Sequence, residues 1–265
     1  MHKYLKIAIV QTSLHWQNAA ANREMFDAFF AQIEPGTELV VLPEMFTTGF
    51  TMKARKCAET MQGETVSWLL ENARKLQSHL CGSIIINEKG AYFNRLLWAT
   101  PQGELHTYDK RHLFRMAREH LTYTAGTKRL IVEVSGWKIC PFVCYDLRFP
   151  VWIRNKSLEY DVAIFVANWP AKRSFYWQSL LPVRAIENQT YVVGVNRVGT
   201  DGHGYPYTGD STIISPAGNL VANYYECDGV YTHSLSWQTL QDCRREFPVW
   251  QDADDFEIKV DGNDN

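Results

Sequence analysis

The chain has 265 residues, 46% hydrophobic and 21% charged, with a formal net charge of -2. That length buries a substantial core in one large domain or two small ones, and a near-neutral chain without a basic run excludes a phosphate-tracking surface for nucleic acid. No apolar stretch approaches the ~18 residues of a membrane span.

In chain order, "KIAIVQT" (Lys6–Thr12) reads as a buried strand. Because Gln11 breaks its apolar alternation it does not read as a signal segment, and a cytoplasmic location is the expectation. Asn22 to Ile33 carries Met25, Phe26, Phe29, Phe30 and Ile33 on one helical stripe. "ELVVLPE" (Glu38–Glu44) is a short apolar run stopped by Pro43. Thr65 to His79 repeats the helical pattern, and "CGSIIINE" (Cys81–Glu88) is again a strand. This β-α-β-α-β rhythm predicts a sheet with helices packed outside it.

The middle of the chain turns to hairpins. Strand-like runs flank Pro101-Gln102-Gly103, Ser135-Gly136 and Pro216 to Asn219. "VAIFVAN" (Val162–Asn168) and "YVVGVNR" (Tyr191–Arg197) bracket an amphipathic helix from about Trp177 to Asn188. No linker, repeat or low-complexity segment interrupts residues 1–256, which read as one domain. The acidic, Asn-rich segment 257–265 is expected to be disordered.

Six cysteines (Cys57, Cys81, Cys140, Cys144, Cys227, Cys243) follow no repeating spacing and predict neither a disulfide framework nor a zinc site. Such cysteines are usually small buried hydrophobes. Cys144 stands apart by position: "PFVCYDLRFP" puts it at the end of an apolar run. "VVLPEMF" and "HTYDKRHLF" place Glu44 and Lys110 likewise. Strand ends are where α/β sheets bind ligands. Brought together, a thiol would attack a carbonyl carbon, a carboxylate would carry protons, and an ammonium would stabilise the oxyanion. An adjacent ammonium is also expected to lower the thiol pKa. Taken singly, each of these residues is as readily a surface charge or a packed sulfur. No G-x-S-x-G elbow or H-E-x-x-H pair offers a competing centre.

"LPEMF", "DKRHLF" and "CYDLRFP" resemble, in order, the three signature segments of the nitrilase superfamily of carbon–nitrogen hydrolases. The likeness runs from "KIAIVQT" to "GDSTIISPAGNLV". It implies a four-layer α-β-β-α sandwich of two mixed sheets, an α/β fold that periodicity alone does not select. It implies Cys144 as nucleophile, Glu44 as general base, Lys110 as catalytic lysine and the backbone N–H of Tyr145 as oxyanion donor. Glu119, ahead of Gly126, matches the position of a second glutamate. No cofactor or metal is implied. Assembly as a homodimer or higher homo-oligomer is, with the "WQSLLPVRAIENQ" helix a candidate contact.

The segment from "ANWPAKRSFYW" to "GYPYTGDS" most resembles the short, stand-alone branch of ω-amidase-like enzymes, which cleave the terminal amide of small 2-oxo acid monoamides such as 2-oxoglutaramate. Such a substrate needs a cation at its far end, for which Arg173 and Arg148 are the candidates. Phe114 and Trp169 are candidate pocket walls. Alternatives within the superfamily are N-carbamoyl amino acid hydrolysis and nitrile hydrolysis. From another class, a catalytically silent binding protein on the same fold would be expected to lack one of the three residues, and none is missing.

Overall fold

The computed structural model describes residues 2–259. The chain runs β1 (Tyr4–Gln11), α1 (Ala19–Phe30), β2 (Leu39–Val41), α2 (Ala54–Cys57), α3 (Glu64–Leu76), β3 (His79–Glu88), β4 (Ala91–Ala99) and β5 (Leu105–Asp109). It continues through β6 (Val132–Val134), β7 (Trp137–Val143), α4 (Pro150–Ile153), β8 (Val162–Val166), α5 (Ser174–Asn188) and β9 (Tyr191–Val195). β10 (Val198–Thr200), β11 (Pro206–Ile214), β12 (Leu220–Tyr225), β13 (Gly229–Ser236) and α6 (Trp237–Glu246) complete it.

Two mixed sheets form. One has the order β13-β1-β2-β3-β4-β5; the other has β10-β11-β9-β8-β7-β6, with β12 on the outer side of β11. β1, β2 and β3 are mutually parallel, as are β7, β8 and β9. Side chains alternate across each pleat, so β1 sends Ile7 and Ile9 to one face and Ala8 and Val10 to the other. The first set shares a core with Ile139, Val193 and Ile213 on the facing side of the opposite sheet; the second packs under Phe26 and Phe30 of α1 and Val66, Leu69 and Ala73 of α3. Across the molecule, α5 lays Trp177, Leu181 and Ala185 on its own sheet. Two apolar interfaces per sheet are what a four-layer α-β-β-α sandwich requires, and that is the architecture.

The alternating first half and all three hairpins form where the pattern predicts them. α1 begins three residues ahead of its apolar stripe because Asn18 caps it, accepting from the Ala21 N–H at 3.1 Å. β13 and α6 carry no readable signal. In "GVYTHSLS" polar residues interleave the strand, and α6 buries only Leu240 and Arg244. Their role is structural: β13 pairs along all of β1, and Arg244 donates to Asp161 at 2.8 Å. Of the segment 257–265, Ile258 packs against the larger apolar core, while residues 260–265 lie outside the described residues. Among the described residues no helix is long and apolar enough to cross a membrane. The outer side of α5 leaves Phe175, Val183 and Ile186 exposed.

Candidate active site

Four strand ends converge. Glu44 follows β2, Lys110 follows β5, Cys144 follows β7 and Asn168 follows β8. Lys110 is 1% exposed and lies between two fully buried carboxylates, its Nζ 2.9 Å from Glu44 Oε1 and 3.0 Å from Glu119 Oε1. Both glutamates are therefore part of one cluster with the lysine. A buried ammonium is tolerable only when paired this way. Burial opposes the Lys110 charge, but Glu119 and Glu44 more than offset it and hold its pKa above the ordinary lysine value. Burial raises the Glu119 pKa, partly countered by Lys110. Phe50 lies with its ring centroid 5.2 Å from the Lys110 Nζ.

The backbone fixes this arrangement. The Lys110 N–H donates to the Asn94 carbonyl and the Gly126 N–H to the Lys110 carbonyl, at 3.0 and 2.9 Å. Gly126 is obligatory there, since a Cβ would sit 2.0 Å from the Asp109 carbonyl oxygen. Glu119 enters from a short 3-10 turn, Glu119–Leu121, and its second oxygen accepts the Phe114 N–H.

Cys144 opens a second 3-10 turn, Cys144–Arg148, with φ of +47°. A left-handed non-glycine residue costs on the order of 1 kcal/mol or more and persists only where its surroundings dictate it. Here Asp146 does so. Fully buried, it accepts from the Val143 N–H at 3.1 Å and the Tyr108 hydroxyl at 2.7 Å through one oxygen, and from the His112 N–H at 2.9 Å through the other. The His112 ring Nδ1 lies 2.8 Å from that second oxygen. Tyr108 and His112 flank Lys110, so one carboxylate ties the sulfur-bearing turn to the lysine-bearing segment.

The expectation of a thiol lowered by the ammonium is overturned. Burial, reinforced by the neighbouring Glu44 carboxylate, pushes the Cys144 thiol well above its ordinary value, and Lys110 only partly offsets them. The resting group is a neutral thiol, which needs a base to become a nucleophile.

Two asparagines complete the floor. Asn94 Nδ2 donates to Glu44 Oε1 at 2.7 Å and reaches Glu119 Oε1 at 3.5 Å. The Asn168 backbone N–H donates to Glu44 Oε2 at 2.8 Å, its side-chain amide donates to the Glu44 carbonyl, and its carbonyl lies 4.0 Å from Cys144 Sγ. Sequence reasoning missed both. Asn168 had the signal that singled out the others, a polar residue closing an apolar strand in "VAIFVAN"; Asn94 had none.

At the rim, Arg173 stacks on Phe114, 5.1 Å from its centroid, and Phe114 meets the Tyr145 ring edge-on at 5.0 Å. Arg148 stacks on Trp169 and Tyr176 at 5.2 and 4.7 Å. Trp169 Nε1 donates to the Arg173 carbonyl at 2.7 Å, so the two arginines share one wall. All four residues expected to bind substrate thus lie around the Cys144–Arg148 turn, with Phe114 and Trp169 serving as platforms for the guanidiniums. Among the described residues neither arginine has a carboxylate within salt-bridge distance.

A thiol, a carboxylate and a buried ammonium meet at strand ends, and the chain belongs to the carbon–nitrogen hydrolase family: the carbon-nitrogen hydrolase model matches residues 6–245. The chain is 48% identical to the omega-amidase YafV of Escherichia coli, over 96% of this chain and 98% of that protein. It is 30% identical to the 2-oxoglutaramate amidase of Bacillus subtilis, over 93% and 96%. The crystal structure of XC1258 from Xanthomonas campestris, a CN-hydrolase superfamily protein with an arsenic adduct in its active site, superposes with a TM-score of 0.96 at 45% identity, over 98% of this chain and all of that one.

Proposed function

We propose that the chain is an amidase of the ω-amidase type, hydrolysing the terminal amide of small 2-oxo acid monoamides to the acid and ammonia through a Cys144 thioester. The observation that carries the chemistry is Lys110 clamped between Glu44 and Glu119 beside the Cys144 sulfur. Two of the three ammonium N–H donors are engaged by carboxylates, leaving the third for a substrate oxyanion. The similarity to omega-amidase YafV and 2-oxoglutaramate amidase supports the substrate class. So do two arginines at the rim, Arg173 and Arg148, which have no carboxylate partner among the described residues and are available to a substrate carboxylate.

In this mechanism Glu44 accepts the Cys144 proton as sulfur attacks the amide carbon. Oε1 already accepts from Lys110 and Asn94, whereas Oε2 accepts the Asn168 N–H, so Oε2 is the oxygen with a lone pair left to take the proton. Lys110 and the Tyr145 N–H stabilise the tetrahedral oxyanion. The C–N bond breaks as Glu44 returns the proton to nitrogen, and ammonia leaves. Water deprotonated by Glu44 then releases the acid and the thiol.

The test is ammonia release from a panel of 2-oxo acid amides, an N-carbamoyl amino acid and a nitrile, with Cys144→Ala as control. The ω-amide is expected to be turned over fastest, and Cys144→Ala to lower its rate by ~10⁴-fold or more with the melting temperature retained. Hydroxylamine is expected to divert product to a hydroxamate. Turnover surviving in Cys144→Ala would end the reading.

A further inference from the structure

Five buried side-chain nitrogen or oxygen atoms among the described residues lack a hydrogen-bond partner, and two of them, Asn94 Oδ1 and Asn168 Oδ1, belong to residues bonded to Glu44. Their orientation is fixed. Each Nδ2 faces an atom that can only accept, the Glu44 carboxylate for Asn94 and the Glu44 carbonyl for Asn168, so each oxygen must be the atom left over. A buried acceptor without a donor is costly, and proteins keep one where a ligand or reaction supplies the donor. Beside a reaction centre, such an acceptor is placed to take an N–H or O–H that arrives with the substrate.

The two oxygens differ in what surrounds them. Asn94 reaches both glutamates beside Lys110, on the side where the oxyanion is held. Asn168 touches the other side, its backbone N–H on Glu44 Oε2 and its carbonyl beside the Cys144 sulfur. That is the side on which the proton passes from sulfur through Glu44 to the departing nitrogen.

Resting on the function proposed above, we infer that Asn168 Oδ1 accepts an N–H of the scissile carboxamide, making Asn168 the residue that selects amides over esters and nitriles. A primary carboxamide nitrogen brings two N–H donors, and one of them satisfies the orphaned oxygen. The single lone pair of that nitrogen, localised once sulfur has added to the carbonyl carbon, takes the proton from Glu44 as the C–N bond breaks, so the departing group is neutral ammonia and the thioester is formed. The nitrogen is held with its lone pair toward the acid. An ester presents an oxygen at the same place, and a nitrile a nitrogen without hydrogens. Either leaves Asn168 Oδ1 buried opposite an acceptor.

The experiment compares kcat/KM for 2-oxoglutaramate and the 5-methyl ester of 2-oxoglutarate, which share an acyl group and a far carboxylate and differ only in the leaving group. Wild-type turnover of the amide tests the preceding reading; the amide-to-ester ratio tests this one. Asn168→Ala is expected to lower both rates, because it also loosens Glu44, but to lower the amide-to-ester ratio at least ~10-fold. Asn168→Asp keeps an acceptor oxygen and loses the donor to the Glu44 carbonyl, and its charge acts on both substrates alike. It is expected to lower both rates with the ratio within about threefold of wild type. If Asn168→Ala gives no folded protein, Asn168→Leu, close in shape and without an acceptor, is read the same way. A ratio unchanged in the acceptor-free variants, or one that falls equally in Asn168→Asp, overturns the inference and leaves Asn168 a support for Glu44 alone.

Discussion

The floor and the rim of this site are built on opposite principles. On the floor every charged group is buried and held by partners: Lys110 by two carboxylates, Glu44 by Lys110, Asn94 and Asn168, Glu119 by Lys110 and the Phe114 N–H. At the rim Arg148 and Arg173 are half-exposed and stacked on aromatic faces, with no carboxylate among the described residues within salt-bridge distance. The floor is rigid because a buried charge that loses its partner is expensive, so its geometry is set before substrate arrives. The rim keeps cations desolvated on one face and free on the other. On the function proposed above, the bond-breaking groups are prebuilt and recognition is left for the substrate to complete.

That contrast predicts where damage appears. Lys110→Met removes the ammonium from between two buried carboxylates. The expected loss is ~10³-fold or more in kcat together with ~3–5 kcal/mol of stability, read by ammonia release and denaturant unfolding. A variant that loses activity with stability intact would mean the floor is not braced by this cation. Arg173→Met at the rim is expected to keep both stability and kcat. KM for an ω-amide bearing a far carboxylate should rise ~30-fold, with no change for a neutral amide of similar length. An equal rise for both substrates would make Arg173 a wall rather than an anion contact.

How much of this was legible in the sequence follows the same division. Glu44, Lys110 and Cys144 each close an apolar strand, and the pleat carries such residues to one edge of the sheets, so local pattern located them. Their meeting was not local: it depends on two sheets facing each other, which only the matched segments implied. The bracing was invisible for a further reason. Asp146 reads as an ordinary polar residue in a loop, yet it ties Val143 to Tyr108 and His112 across more than thirty positions. The sign of the thiol shift was misread because the sequence places Lys110 near Cys144 but says nothing of burial, and burial with Glu44 outweighs the lysine. β13 and α6 escaped because pairing with β1 and one buried arginine, not apolar periodicity, hold them.

The smallest effect tests the electrostatics directly. Burial is the largest cause of the raised Cys144 pKa and cannot be changed by a conservative substitution, but the Glu44 charge, which adds to it, can. In Glu44→Gln that negative neighbour is removed while Lys110 and Glu119 remain. The thiol then faces a net more positive surround, its ionisation is favoured, and its apparent pKa falls. The fall is followed as thiolate absorbance against pH with Cys144→Ala as baseline. The variant would thus hold more thiolate near neutral pH than the wild type and still fail to release ammonia, because the thiolate forms without a carboxylate to deliver a proton to the leaving nitrogen. An unchanged or raised titration would mean that Lys110, no longer shared with Glu44, has turned away from the sulfur.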